Sequence, residues 1–221
     1  MNASANPPPD QDQGITGLVS YAMPRSCLMS GHFSQLLQRR EQTPGIELDV
    51  TIQSSLDVLD SVRDGRVDFG FVTQFVPSPS LTYIPFCCEE YILAARSFPA
   101  GFGIDEASIG KTSFIGYPGC DNYAHLWLQA ALGQGTGLEY GNLRKTGECN
   151  SIDAAILMVR GGLGISFFPR HTIMGELESR AVTELPLEKP VTNQIYIVYD
   201  NQRELAPHVM LIIQWFRDME P

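Results

Sequence analysis

Polar residues stand at two places where a predicted strand gives way to a predicted helix. Ser54 and Ser55 occupy the first junction, and Asn150 and Ser151 occupy the second. The first N–H groups of a helix have no partner inside the helix and carry partial positive charge, so they attract anions. Hydroxyl and amide side chains add neutral donors beside them. This pattern predicts a site for a small carboxylate. Serine is also favoured as a simple helix cap, and both roles stay open for Ser54 and Ser55.

The segment 21–25, Tyr-Ala-Met-Pro-Arg, is predicted to be the loop after the first strand. Its last residue, Arg25, is a suitable partner for a carboxylate, although an arginine at a helix start can equally be solvated. Tyr21 and Met23, together with Tyr117 in a later turn, lie outside any periodic apolar face. Core packing is the alternative for these three residues, but loop positions favour the wall of a ligand pocket.

Cysteine and histidine residues offer two further kinds of chemistry. Cys149 precedes a predicted helix N-terminus, where a thiol can be activated for a redox role, and the alternative is a small residue beside a pocket. Cys120 and His125 have the spacing of half a metal site, but no second pair accompanies them. We therefore predict neither a metal nor a cofactor. The four histidines form no apparent pattern with a nucleophile and an acid, so we expect no enzyme.

The elements that must position these residues are clearest over 46–72. Apolar and polar residues alternate over 46–52 as in a half-buried strand, and 67–72 is nearly all apolar, as in a strand covered on both faces. Between them, Val58, Leu59 and Val62 share one helical face. This strand–helix–strand unit places Ser54 and Ser55 at the carboxyl end of a strand, where open α/β sheets bind ligands.

A second block of the same layout follows later in the chain. It has a strand near 143–148, a helix over 152–160 and a strand over 163–168. The sequence therefore predicts an α/β fold of two Rossmann-like lobes, like a type 2 periplasmic-binding protein, with a ligand cleft between the lobes. Further predicted elements are helices at 26–40, 123–132 and 207–219, and a strand pair or one long bent strand at 81–95. The expected division is a disordered leader at 1–13, lobe I at 14–75 and 192–221, lobe II at 81–186, and crossover hinges at 76–80 and 187–191.

Composition limits the partners of the chain. With 221 residues, of which 43% are hydrophobic, it is long enough for two lobes with cores. A net charge of −10 should repel nucleic acid, and no polybasic face is present to bind a membrane. Five unevenly spaced cysteines indicate reduced thiols, and neither a signal peptide nor a membrane-spanning run is apparent. We expect a cytoplasmic protein.

Three stretches carry a resemblance to a known family: GITGLVSYAMP at 14–24, PGIELDVTIQSSLDVLDSVRDGRVDFGFV at 44–72 and CNSIDAAILMVRGGLGISFFP at 149–169. Together they resemble the effector-binding domain of LysR-type transcriptional regulators, over about 14–219. The resemblance implies a small-molecule effector between the lobes, an antiparallel homodimer, and a tetramer for the full-length protein. It also implies DNA contact only through an N-terminal winged helix-turn-helix, which we do not find ahead of Gly14.

The expected function is therefore a ligand-sensing domain that controls a DNA-binding partner domain. An enzyme or a solute-binding protein on the same scaffold is the alternative, because a fold does not fix a function. We expect dimers through the helix at 26–40 of one copy and that at 123–132 of the other, with Trp127 in the contact. The expected ligand-binding residues are Tyr21, Ala22, Met23, Arg25, Ser54, Ser55, Thr73, Tyr117, Cys120, Cys149, Asn150 and Phe168.

Overall fold

The computed structural model describes residues 14–219, so the leader predicted at 1–13 lies outside the described residues. The strands are β1 (Gly17–Met23), β2 (Ile46–Ile52), β3 (Phe69–Val72), β4 (Leu81–Ala95), β5 (Phe114–Gly116), β6 (Lys145–Glu148), β7 (Ser166–Pro169), β8 (Thr183–Leu185) and β9 (Val191–Asp200). The helices are α1 (Arg25–Leu28), α2 (Gly31–Gln42), α3 (Ser55–Arg63), α4 (Glu106–Gly110), α5 (Cys120–Leu132), α6 (Ile152–Arg160), α7 (Met174–Glu178) and α8 (Pro207–Arg217). Short 3-10 turns lie at Tyr140–Asn142 and Arg170–Ile173.

Two sheets organise the described chain. The larger has seven strands in the order β2-β1-β3-β9-β4-β7, with β8 also paired to β4, and the smaller consists of β5 and β6. Strand β1 is parallel to both β2 and β3, whereas β9 is antiparallel to β3 and β4. The two-lobed α/β fold predicted from the sequence is confirmed.

Lobe I is a three-layer unit around β1, β2 and β3. Val58, Leu59 and Val62 of α3 pack on one face of the sheet, as the helical pattern predicts. Helices α2 and α8 cover the opposite face, which carries several aromatic rings. Helix α3 ends before Gly65, whose φ of +66° is the left-handed conformation expected from glycine at this position.

Lobe II contains β5, β6 and β7 with α5 and α6 packed on them. Trp127 of α5 is only 1% exposed and lies 5.6 Å from Phe167, ring centroid to centroid. It fills the core of lobe II because it falls on the inward face of α5 together with Tyr123 and Leu128. The intersubunit contact predicted for Trp127 is therefore wrong, and the pairing of the two helices stays a prediction.

Strands β4 and β9 connect the lobes. They pair from Leu81 opposite Asp200 to Tyr91 opposite Val191, with an irregularity between Pro85 and Cys87. Leu81 packs in lobe I, whereas Tyr91 and Val191 pack in lobe II. Of the two alternatives for 81–95, the single long strand is therefore the one observed. The chain passes between the cores inside continuous strands, and the hinges placed at 76–80 and 187–191 stay predictions.

Several local predictions need correction. The helix predicted at 26–40 is interrupted at Met29 and Ser30, because Ser30 has extended backbone angles and its hydroxyl donates to the Cys27 carbonyl at 2.7 Å. The first strand does not stop at Ser20, since its pairing with β2 continues to Met23 opposite Ile52. Helix α5 also begins earlier than predicted, at Cys120 instead of 123, and α4 was not predicted.

Candidate functional site

A cavity of about 560 Å³ lies between the lobes. Lobe I contributes the residues that follow β1, β2 and β3, and lobe II contributes the first turns of α5 and α6. The volume falls within the roughly 300–1,000 Å³ that small-molecule sites usually occupy. The strands of lobe I that point at the cavity are parallel, so their carboxyl ends meet at one edge. This arrangement explains why loops distant in the sequence line one space.

At the lobe I wall, the two serines singled out in the sequence have different partners. Ser54 caps α3: its hydroxyl accepts from the Asp57 N–H at 3.2 Å and donates to the Asp57 carboxylate at 2.6 Å. The Ser55 hydroxyl lies 3.0 Å from the Thr73 hydroxyl and accepts from the Thr73 N–H at 3.1 Å. Ser55 and Thr73 thus tie the start of α3 to the end of β3 at the cavity surface.

The lobe II wall consists of two helix N-termini. Helix α6 is capped by Ser151, whose hydroxyl accepts from the Asp153 N–H at 3.2 Å. Helix α5 starts after Gly119, which has φ of +90° and supplies no side-chain cap. Glycine suits this position because other residues rarely adopt such a φ. The start of α5 therefore presents backbone and no capping side chain to the cavity.

A bidentate ion pair crosses from one lobe to the other at this cavity. Arg25 Nε lies 3.1 Å from Asp153 Oδ2, and Arg25 Nη2 lies 3.2 Å from Asp153 Oδ1. Both side chains are 46% exposed. The hydrogen bonds from Arg25 lower the pKa of the Asp153 carboxyl, which Ser151 also contacts through its hydroxyl. Arg25 is thus neither solvated alone nor buried, but held by the opposite lobe.

The charged residues that line the cavity are of both signs. Arg25 is the positive side chain, and Asp57 and Asp121 are the negative ones. Apolar side chains, including Ile52, Leu56 and Tyr117, line it as well. A ligand in this space would meet one guanidinium, two carboxylates and an apolar wall, which suits a small molecule with more than one kind of polar group.

Half of the residues predicted to bind the ligand do line the cavity: Arg25, Ser54, Ser55, Thr73, Tyr117 and Asn150. Tyr21, Ala22 and Met23 do not, because they belong to β1 and are buried in lobe I. Tyr21 stacks on Phe69 with centroids 5.0 Å apart. Their placement in a loop is therefore wrong, and the three side chains are core residues.

Three further predicted residues lie near the cavity without lining it. Cys120 is fully buried in the first turn of α5, with its sulfur 3.5 Å from the Ser166 hydroxyl, and burial raises its pKa. Phe168 is buried behind Tyr117 and stacks on it at 5.5 Å. Cys149 lines a neighbouring open depression on lobe II, and its thiol donates to the Ser151 carbonyl at 3.3 Å. Cys120 is in the core because helix α5 starts at Cys120 itself and not three residues later.

Several lining residues were not singled out in the sequence. Ser26, Ile52, Gln53 and Leu56 line it from lobe I, and Asp121, Asn122 and Tyr123 from lobe II. Most of them adjoin predicted loop residues, so widening each loop by two positions would have included them. Nothing in the sequence marks Tyr123 as a cavity residue, because it occupies an apolar position of a predicted helix.

Beneath the cavity lies a buried polar cluster that no pattern in the sequence predicts. Ser26 accepts from His171 Nε2 at its carbonyl, at 2.9 Å, and from the Tyr123 hydroxyl at its own hydroxyl, at 3.4 Å. Glu89, next to them, is buried, and burial raises its pKa to about 7. Burial also lowers the pKa of His171.

Among residues 14–219, no group of three or more His, Cys, Asp or Glu side chains is placed to hold a metal ion.

Two α/β lobes connected by antiparallel strands, with a cavity at the carboxyl ends of parallel strands, define a small-molecule-binding domain. The family described as the LysR substrate binding domain matches residues 13–220, and the chain belongs to this family. The resemblance of the three sequence stretches is thereby confirmed. The chain is a ligand-sensing regulatory domain of the LysR type. Among curated proteins, no match is found.

Solved structures share the fold at low sequence identity. The CcmR regulatory domain from Synechocystis PCC6803, in complex with 2-PG, has a TM-score of 0.75 and 17% identity, covering 91% of this chain and 96% of that chain. The effector-binding domain of QuiR in complex with shikimate has a TM-score of 0.72 and 14% identity, covering 92% and 96%. Full-length CbnR, complexed with target DNA, has a TM-score of 0.69 and 16% identity, covering 92% of this chain and 70% of that chain.

Every helix within residues 14–219 is too short or too polar to span a lipid bilayer.

Proposed function

We propose that the cavity between the lobes binds a small, polar effector that carries a carboxylate. The observation that carries this proposal is the convergence of Arg25 and the N-termini of α3, α5 and α6 on one cavity. Helix N-termini and guanidinium groups both favour a carboxylate. Asp57 and Asp121 would face a hydroxyl or cationic part of the same effector.

Arg25 would bind the effector by exchanging partners. Its guanidinium is held by Asp153 in two hydrogen bonds of ordinary length, and both groups are partly exposed. Exposed ion pairs of this kind contribute about 0–1 kcal/mol to stability. An effector carboxylate inside the cavity could therefore replace Asp153 without a large cost, and the exchange would link occupancy to the contact between the lobes.

We further propose that the domain senses its effector without converting it. Ser55 and Thr73, the hydroxyl residues nearest the end of β3, bond to each other and not to a histidine. His171 bonds to the Ser26 carbonyl, and His208 bonds to the Leu18 carbonyl. The structural neighbours that hold 2-PG and shikimate are described as regulatory or effector-binding domains. Incubation with a binding metabolite should return it unchanged.

The test is a thermal-shift screen of small carboxylates, followed by calorimetry on the compounds that stabilise the chain. Arg25→Gln should weaken binding at least tenfold, and Ser55→Ala should cost about 1 kcal/mol, a typical value for one hydrogen bond. Arg144→Gln is the matched control, because Arg144 is exposed and does not line the cavity. Tight binding of a neutral, wholly apolar compound, or equal affinity in the wild type and Arg25→Gln, would contradict the proposal.

The remaining expectations concern the whole regulator. We propose that the domain forms homodimers, and tetramers in the full-length protein, in the cytoplasm. DNA contact would be made through an N-terminal winged helix-turn-helix. The support is membership of the family and an acidic chain that is itself unsuited to DNA.

A further inference from the structure

Glu89 is a buried carboxyl group at the point where the chain passes between the lobes. It lies in β4, is 5% exposed, and pairs in register with Asn193 of β9. Strand residues on one side of it pack in lobe I, and Tyr91 on the other side packs in lobe II. Because Glu89 does not line the cavity, it takes no part in the proposed binding of the effector.

The groups around Glu89 leave its charge uncompensated. Tyr91 donates its hydroxyl to Glu89 Oε2 at 3.4 Å, and His171 Nε2 lies 3.9 Å from Glu89 Oε1. Four further groups also interact with the carboxyl, and its negative charge would raise the pKa of each: Tyr117 after β5, Tyr123 of α5, Cys27 of α1 and Cys87 of the same strand. The nearby cation, Arg170, instead pairs with Glu90 and Glu184. An ionised Glu89 would therefore have as its partners a hydroxyl and a histidine whose burial favours the neutral form.

The same cluster ties the lobes together. His171 and Tyr123 of lobe II both donate to Ser26, which belongs to α1 at the edge of lobe I. Asn193 donates to the Thr73 carbonyl at 2.7 Å and to the Tyr91 hydroxyl at 3.0 Å. Ser26, Thr73 and Tyr123 line the cavity directly. The carboxyl thus sits behind the contacts that an opening motion of the lobes would have to break.

We propose that Glu89 is a proton-operated element of the β4–β9 connection between the lobes: the neutral carboxyl lets the lobes dock across Ser26, and the ionised carboxyl loosens that docking. The proton is exchanged with water. Because the docked residues line the cavity, access to the cavity rises with pH through the neutral range. The proposal does not depend on the class of effector.

The direction follows from the pKa of Glu89, which burial raises from its ordinary value of 4.5 to about 7. In the docked state the carboxyl holds its proton more tightly than in an opened, hydrated state. Docking is therefore strongest at low pH and weakens as pH rises from about 5 to about 7. An opened state with an ordinary carboxyl pKa would become more populated by on the order of tenfold between about pH 5.5 and about pH 8.

Amide hydrogen exchange tests this on the chain without any effector. Exchange of segments 25–30 and 170–174, corrected for the intrinsic effect of pH, should accelerate about tenfold between about pH 5.5 and about pH 8. Glu89→Gln, a neutral isostere, should abolish the acceleration, and Glu47→Gln, an exposed position of β2, should retain it. Helix α8, which packs in the core of lobe I, should open at a higher free energy than these two segments at every pH.

Three results would overturn the proposal: no acceleration in the wild type, the same acceleration in Glu89→Gln, or the same opening free energy in α8 as in the two segments. The last would mean that Glu89 only lowers the stability of the whole fold. If Glu89→Gln does not fold, carbon NMR of labelled glutamate in the wild type decides. The titration midpoint of Glu89 must then match the midpoint of the exchange change, and a mismatch would overturn the proposal.

Discussion

Residue type alone did not decide which side chains belong to the site. Tyr21 and Tyr117 were both predicted to line the pocket, but only Tyr117 does. Tyr117 follows a strand of three residues, and its hydroxyl donates to the Phe167 carbonyl at 2.7 Å. Tyr21 lies within a seven-residue strand, and its ring packs among Phe69, Phe71 and Phe216. Tyr117 reaches the cavity because its strand has already ended, whereas Tyr21 is still inside a strand.

The Tyr21 hydroxyl is buried and has no hydrogen-bond partner among residues 14–219. Tyr21→Phe should therefore raise the free energy of unfolding by about 1 kcal/mol, since it removes an unsatisfied polar group. Tyr83→Phe is the control: its hydroxyl donates to the Val76 carbonyl at 2.7 Å, so this change should destabilise by a similar amount. Denaturant unfolding measures both. A destabilised Tyr21→Phe would show that the hydroxyl does have a partner.

Glu89 should also make the stability of the whole chain depend on pH. Its pKa is raised by burial to about 7, so the folded state binds the proton more tightly than the unfolded state. The contribution is fully present below the ordinary value and is lost as pH rises through about 7. Between about pH 5 and about pH 8 the wild type should lose roughly 2 kcal/mol relative to Glu89→Gln. Parallel stability curves for the two proteins would contradict this.

At the scale of elements, the ends of helices and strands proved less predictable than their presence. Helix α6 has the predicted bounds, because Ser151 caps it and Gly161-Gly162 follows it. Helix α5 begins earlier than its apolar pattern indicates, since its first turn is formed by Cys120, Asp121 and Asn122. The gain of one turn moves Cys120 from a cavity loop into the core.

Helix α2 carries an exposed apolar residue that suits the proposed dimer. Leu37 is 43% exposed, while Leu36 beside it is buried in lobe I. Leu37→Asp should reduce the dimer fraction at micromolar concentration without changing the unfolding transition, because a charge would replace an apolar contact. Leu157→Asp on α6, a more exposed position at 63%, should leave the assembly unchanged. Sedimentation velocity distinguishes the two, and equal dimer fractions would argue against α2 as the interface.

At the scale of the whole molecule, the lobes meet through few polar contacts and two continuous strands. The Arg25–Asp153 pair joins positions 128 residues apart and both groups are partly exposed. A double-mutant cycle with Arg25→Gln and Asp153→Asn should give a coupling energy of at most about 1 kcal/mol, which falls at high salt. Chemical denaturation at two salt concentrations measures it. A coupling several times larger and independent of salt would show that the pair is shielded from solvent.

Electrostatics of the complete chain predict its behaviour toward DNA. With a net charge of −10, the chain should show no binding to a labelled duplex, even at low salt, where phosphate contacts are strongest. Fluorescence anisotropy provides the measurement, and a basic DNA-binding protein serves as the positive control. Tight binding that weakens steeply with salt would reveal a cationic surface that the composition hides.

The sequence by itself determined the alternation of strands and helices, the unit around α3 and a serine cap at position 54 or 55. These features depend on neighbours within a few positions, which periodicity and capping preferences describe. Only the tertiary structure decided that Tyr21 is a core residue, that Arg25 pairs with Asp153, and that Glu89 is buried beside His171. Each of these depends on which residues meet after the lobes fold and dock. Contacts across 82 or 128 positions, as for Glu89 and Arg25, leave no local pattern in the chain.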